Sequence, residues 1–95
     1  MQKIGVFQIQ DSFKLTGRGL VALGQILEGK VKIGSYLTFM LDAKFITIKI
    51  SGVEMADNTS TGEYWVGLTF VYENEQQKKE FEQLKLKEQI AEVTQ

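Results

Sequence analysis

Residues 13–34, FKLTGRGLVALGQILEGKVKIG, put a glycine at nearly every change of direction. Phe13 and Leu15 alternate with Lys14 and Thr16, the period-two pattern of a half-buried strand. Thr16-Gly17-Arg18-Gly19 reads as a turn or bulge, because glycine reaches positive φ without steric cost. Leu20 to Glu28 is the next strand. Gly24 interrupts its alternation and predicts a bulge or sharp bend there, as barrel corners need. Glu28-Gly29-Lys30 and Gly34-Ser35 are further turns.

The rest of the chain continues the pattern. Residues 3–9, KIGVFQI, are rich in β-branched and aromatic residues and read as a strand that Asp11 and Ser12 break. Tyr36 to Leu41 is a strand turned back by Asp42-Ala43-Lys44. Phe45 to Met55 is the clearest one, with Ile46, Ile48 and Ile50 on one face and Thr47, Lys49 and Ser51 on the other. Asp57 to Gly62 is a polar loop. Tyr64 to Tyr72 turns Val66, Leu68 and Phe70 inward and leaves Trp65 outward with Gly67 and Thr69. Turn signals every 8–12 residues argue an all-β barrel or sandwich.

After Tyr72 the composition changes. Residues 73–89, ENEQQKKEFEQLKLKEQ, are charged and lack β-branched residues. They predict a short helix over 75–84 docked by Phe81 and Leu84, with Gln89 to Thr94 returning as a last strand. One continuous helix over 75–93 is the alternative.

Ninety-five residues make one domain. The chain has no cysteine, so no disulfide framework forms, and no histidine, so there is no imidazole base. A zinc site normally draws on both residue types. No metal, cofactor or catalytic residue is therefore expected. No apolar run approaches the ~20 residues of a membrane span, and the N-terminus lacks the apolar core of a signal peptide. The cytoplasm is the expected location. Residues 1–72 carry seven basic and six acidic side chains, and residues 73–95 carry four and six. Neither half has the basic balance of a non-specific nucleic-acid binder. Lys14, Arg18, Lys30 and Lys32 against Glu28 form a small local patch, which reads either as solvated strand edges or as a phosphate contact.

Two motif matches fail on context. Residues 24–31 satisfy GxxxxGK, but a phosphate loop then needs Ser or Thr for Mg²⁺, and Val31 follows. Residues 17–22 fit GxGxxA, but a strand follows where a dinucleotide site needs a helix. Carboxylates at Asp11, Asp42, Glu54, Asp57 and Glu63 are scattered over separate strands and loops.

A more specific match spans roughly residues 5–95. Asp11-Ser12-Phe13, Thr16-Gly17-Arg18-Gly19 with Val21, residues 24–29 with Val31 and Ile33-Gly34, Gly52-Val53-Glu54-Met55, and Gly62-Glu63 with Val66-Gly67-Leu68 follow in order. Together they resemble the second domain of elongation factor Tu and related translation factors. The resemblance implies a small closed antiparallel β-barrel of about six strands. In family members that carry aminoacyl-tRNA, the glutamate of GVEM lines a pocket for the terminal adenosine. By that match Glu54 is the residue to watch, with Leu15 and Val21 as the pocket's wall. Where the family places an aromatic residue and an arginine after GVEM, this chain has Ala56 and Asp57. It also holds no counterpart of the family's GTPase domain, so neither GTP hydrolysis nor switching is expected.

The expected function is a non-catalytic binding module docking on a protein or ribonucleoprotein, with Arg18, Lys30, Lys32 and Glu54 as candidate contacts. RNA is a candidate ligand; neither DNA nor a membrane is. The competing expectation is a protein-interaction or self-assembling module with no RNA connection. Its contacts would be Trp65, Phe81 and Leu84, unless Trp65 packs under the C-terminal helix.

Overall fold

The computed structural model describes residues 1–58 and 63–95. Six strands and one helix follow in the order β1 (Lys3–Leu15), β2 (Gly19–Gly29), β3 (Tyr36–Leu41), β4 (Lys44–Asn58), β5 (Glu63–Phe70), α1 (Glu75–Glu82) and β6 (Gln89–Thr94). The strands pair antiparallel and close into a barrel ordered β1-β2-β5-β4-β3-β6. The C-terminal segment is thus a short helix and then a strand, and the continuous-helix alternative is excluded. Of the polar loop expected at Asp57–Gly62, β4 includes Asp57 and Asn58. Thr59–Gly62, including the Gly62 of the late family motif, lie outside the described residues, as do the side chains of residues 56–58 and 63.

Asp11 and Ser12 do not break the first strand, contrary to the sequence expectation. β1 runs through them, and its register against β2 slips between Ile9 and Asp11, opposite Gly24. Gln10 is the extra residue of a bulge. The bulge shifts the inward phase: Phe7 and Ile9 are buried two apart, and the next buried side chain is Ser12. The Asp11 carboxylate accepts the Ser12 backbone N–H at 2.8 Å, and the Ser12 hydroxyl accepts the Leu86 N–H at 2.9 Å. A polar pair that looks like a strand end therefore pins the strand to a segment near the C-terminus. Gly24 is needed opposite, because any Cβ there would overlap the Gln8 carbonyl oxygen.

The inward alternation expected for β4 and β5 holds. Ile48, Ile50, Val66, Leu68 and Phe70 are buried with Phe7, Leu20, Leu37, Phe39 and Val93. Asn74 caps α1, its side-chain oxygen accepting the Gln77 N–H at 2.8 Å. The helix packs on β1 and β2 and drives Phe81 into the core, edge-on to Tyr72 with ring centroids 5.3 Å apart. Leu86 follows it into the core, and Leu84 packs half-buried at its edge. Burying a phenylalanine contributes about 1.5–3 kcal/mol, so the charged helix is anchored chiefly by its one buried side chain.

Candidate functional site

Alternation along β5 builds the site. Its outward residues are Trp65, Gly67 and Thr69: large, absent, small. Gly67 pairs with Leu23 of β2 on one side and Glu54 of β4 on the other. The missing side chain leaves a groove floored by Gly67. Its apolar walls are Phe13, Leu15, Val21, Leu23 and Trp65, and Arg18 and Glu54 bring its charge. Its volume, about 320 Å³, lies at the small end of ligand pockets and suits one or two side chains.

The neighbouring strands supply those walls by register. Phe13 pairs with Val21 across the β1–β2 hairpin, and both face the groove. Phe13 and Leu15 stay 46% and 36% exposed, while Val21 beneath them is buried. The hairpin turn raises Arg18 at one end. β4 runs past Glu54 to Asn58, and Glu54, exposed, pairs with Gly67 on the barrel's side.

Three predicted contacts therefore converge: Glu54 and Arg18 from one expectation, and Trp65 from the other. Leu15 and Val21 line the same groove. Trp65 is half-buried in the groove; α1 packs on β1 and β2, so Trp65 does not lie under the helix. Among the described residues the single ion pair is Lys78 with Glu75, at 3.2 Å. Arg18 and Glu54 thus face the groove without pairing with each other.

Lys30 and Lys32 do not join the site. They follow the far end of β2 from Arg18, and eleven residues of strand separate them, at most roughly 35 Å of extended chain at ~3.3 Å each. The Lys30 N–H donates to the Ile4 carbonyl at 3.1 Å, which ties that loop to the start of β1. Phe81 is also no surface contact: it is 7% exposed and belongs to the barrel core. Its single aromatic ring among charged neighbours marks the buried side of a short helix. Leu84 packs against the same core.

Phe13, Leu23, Gly67 and Thr69 are the groove residues that sequence reasoning did not assign. The signal was the outward series Trp65-x-Gly67-x-Thr69, in which a glycine between two larger residues marks a slot. Among the described residues no helix is long and apolar enough to cross a membrane. No protein-family model matches the chain, and no solved structure matches it.

Proposed function

We propose that this barrel is a non-catalytic binding module, resembling a translation elongation factor domain 2, that docks on a protein or ribonucleoprotein partner through the Gly67 groove. The observation that carries this reading is the convergence of Glu54, Arg18 and Trp65 on one slot with exposed apolar rims. Large apolar side chains left at the edge of a concave site favour contact with a partner. The absence of histidine and cysteine supports a non-catalytic role. The family resemblance and the lack of cysteine support the cytoplasm as its setting.

The test is capture of partners from the protein's own cell lysate, in RNase-treated and untreated halves. Wild-type protein is compared with Trp65→Ala, Glu54→Lys and the Lys30→Gln/Lys32→Gln double variant, each checked for folding by circular dichroism. The groove variants are expected to lose partners that the lysine variant keeps. Equal capture by all four proteins would refute the groove as the docking site. Loss on RNase treatment identifies a ribonucleoprotein partner.

A second reading, self-association, is favoured by a separate apolar flank. Phe45 is 74% exposed and Met40, its partner across β3–β4, is 41% exposed. Gln89 brackets Met40, accepting its N–H at 2.7 Å and donating to its carbonyl at 3.0 Å, and the adjacent Ile90 is 58% exposed. Sedimentation velocity over a concentration series, with Phe45→Glu beside wild type, tests it. A monomer at every concentration excludes it.

A further inference from the structure

Resting on the groove as the binding site, we propose that its occupant is a protein segment. It would lay an apolar side chain over Gly67, with a basic residue reaching Glu54 and an acidic residue reaching Arg18.

Shape is the first argument. The slot is as deep as one missing side chain: a Cβ on Gly67 would stand 3.3 Å from Val21 Cγ1 and 3.9 Å from Leu23 Cδ1. These are ordinary or slightly tight packing distances, so a hydrocarbon group entering from outside meets walls already set for it. Phe13 and Leu15 extend those walls beyond the slot and remain partly in water, which leaves area for a neighbouring residue of the same segment.

Charge is the second argument. The groove carries one acidic and one basic group, not paired with each other. A nucleic-acid strand bears a charge at every phosphate and needs successive cations along its path. Among the described residues Arg18 is the one cation lining this groove; Lys49, further along β4, lines a separate hollow with Tyr36 and Glu73. Lys14 alternates with Phe13 and Leu15 along β1. Lys78 is held by Glu75 and by the Gly17 carbonyl, and Lys30 and Lys32 are at the other end of β2. A polypeptide supplies both signs at residue spacing, and opposite charges on the two sides of an interface set its register. A lysine or arginine directed to Glu54 also lays its aliphatic stem on apolar surface, and Trp65 in the same wall offers a cation–π contact.

Selection of peptides from a phage-displayed random dodecamer library on the immobilised protein tests this, with Gly67→Leu protein for counter-selection. The enriched sequences are expected to place Lys or Arg within two residues of Leu, Ile, Phe or Trp. A synthetic peptide of that sequence is expected to change the fluorescence of Trp65, the chain's one tryptophan, saturably. Glu54→Lys is expected to weaken it about tenfold or more, the loss of a charge-assisted contact. Glu54 is exposed, so this variant keeps the charge test valid even if Gly67→Leu fails to fold. Three results would overturn the assignment. One is no enrichment over the counter-selected protein. Another is an enriched motif without a basic residue, or one indifferent to Glu54→Lys. The third is a short single-stranded RNA that displaces the peptide and binds with a steep salt dependence. Should the groove variants lose their lysate partners while no basic–apolar motif emerges, the groove stands as the docking site and only this occupant falls.

Discussion

The Tyr72 hydroxyl accepts the backbone N–H of Leu20 at 2.9 Å, and this contact closes a gap in the barrel wall. β2 and β5 pair only where Ala22–Gly24 meet Val66–Leu68. Beyond that ladder the Leu20 N–H has no strand partner, and the phenol takes its place. The same ring stands against Gly19, where a Cβ would overlap it and where φ is +96°. Tyr72→Phe keeps the ring and removes only the acceptor. Leaving a buried donor unmet costs about 1–3 kcal/mol, so the urea midpoint should fall by that equivalent. An unchanged midpoint would mean that the N–H finds another partner.

The same phenol makes stability depend on alkaline pH. Burial raises the Tyr72 pKa, the Leu20 N–H opposes that by favouring the phenolate, and the negative charge of Glu82 raises it further. The net direction is upward from the usual tyrosine value of about 10. The folded state therefore holds the neutral phenol more firmly than the unfolded chain does. This stability is complete below about pH 10 and is lost as pH rises through the folded-state value. Urea titrations at pH 8 and above pH 10 should show a decline for wild type that is smaller in Tyr72→Phe. Parallel declines in the two proteins would assign the pH effect to other groups.

Ser12 is 1% exposed, and its hydroxyl holds the Leu86 N–H at 2.9 Å. Ser12→Ala should cost about 1–3 kcal/mol for the orphaned donor. Hydrogen exchange should show the Leu86 amide losing more protection than amides in the middle of β4, which fall only with global stability. Uniform acceleration across the barrel would instead assign the loss to global stability.

How much of this could be read in the sequence depends on the range of the interaction. Ile46, Ile48 and Ile50, like Val66, Leu68 and Phe70, reveal their strands because alternation is local, and Phe81 reveals a docked helix for a similar reason. Asp11 and Ser12 mislead because their local signature is that of a turn, while the partner of Ser12 is 74 residues away. Arg18, Lys30 and Lys32 look like one patch because they are close along the chain, yet an extended β2 carries them to opposite ends. The groove needs a fact that periodicity does not contain: β5 inserts between β2 and β4. Only that order brings Leu23, Gly67 and Glu54 into one row.

The β3–β4 turn carries removable strain. Asp42 and Ala43 have φ of +49° and +67°, the two left-handed positions of a two-residue hairpin turn that favours Asn or Asp followed by Gly. Aspartate tolerates this conformation through its short polar side chain, whereas alanine meets the Cβ clash at a cost of about 1–2 kcal/mol. Glycine removes the clash but adds freedom to the unfolded chain, which offsets about 0.4–1 kcal/mol. Ala43→Gly should thus stabilise the protein by roughly 0.5–1 kcal/mol, a rise in Tm of about 2–8 °C for a chain this size. Ala43→Val should move it the other way, since a β-branched residue is least tolerated at positive φ. Thermal melts of the three proteins by circular dichroism give the order directly. A lower Tm for the glycine variant would show that chain entropy outweighs the clash at this turn.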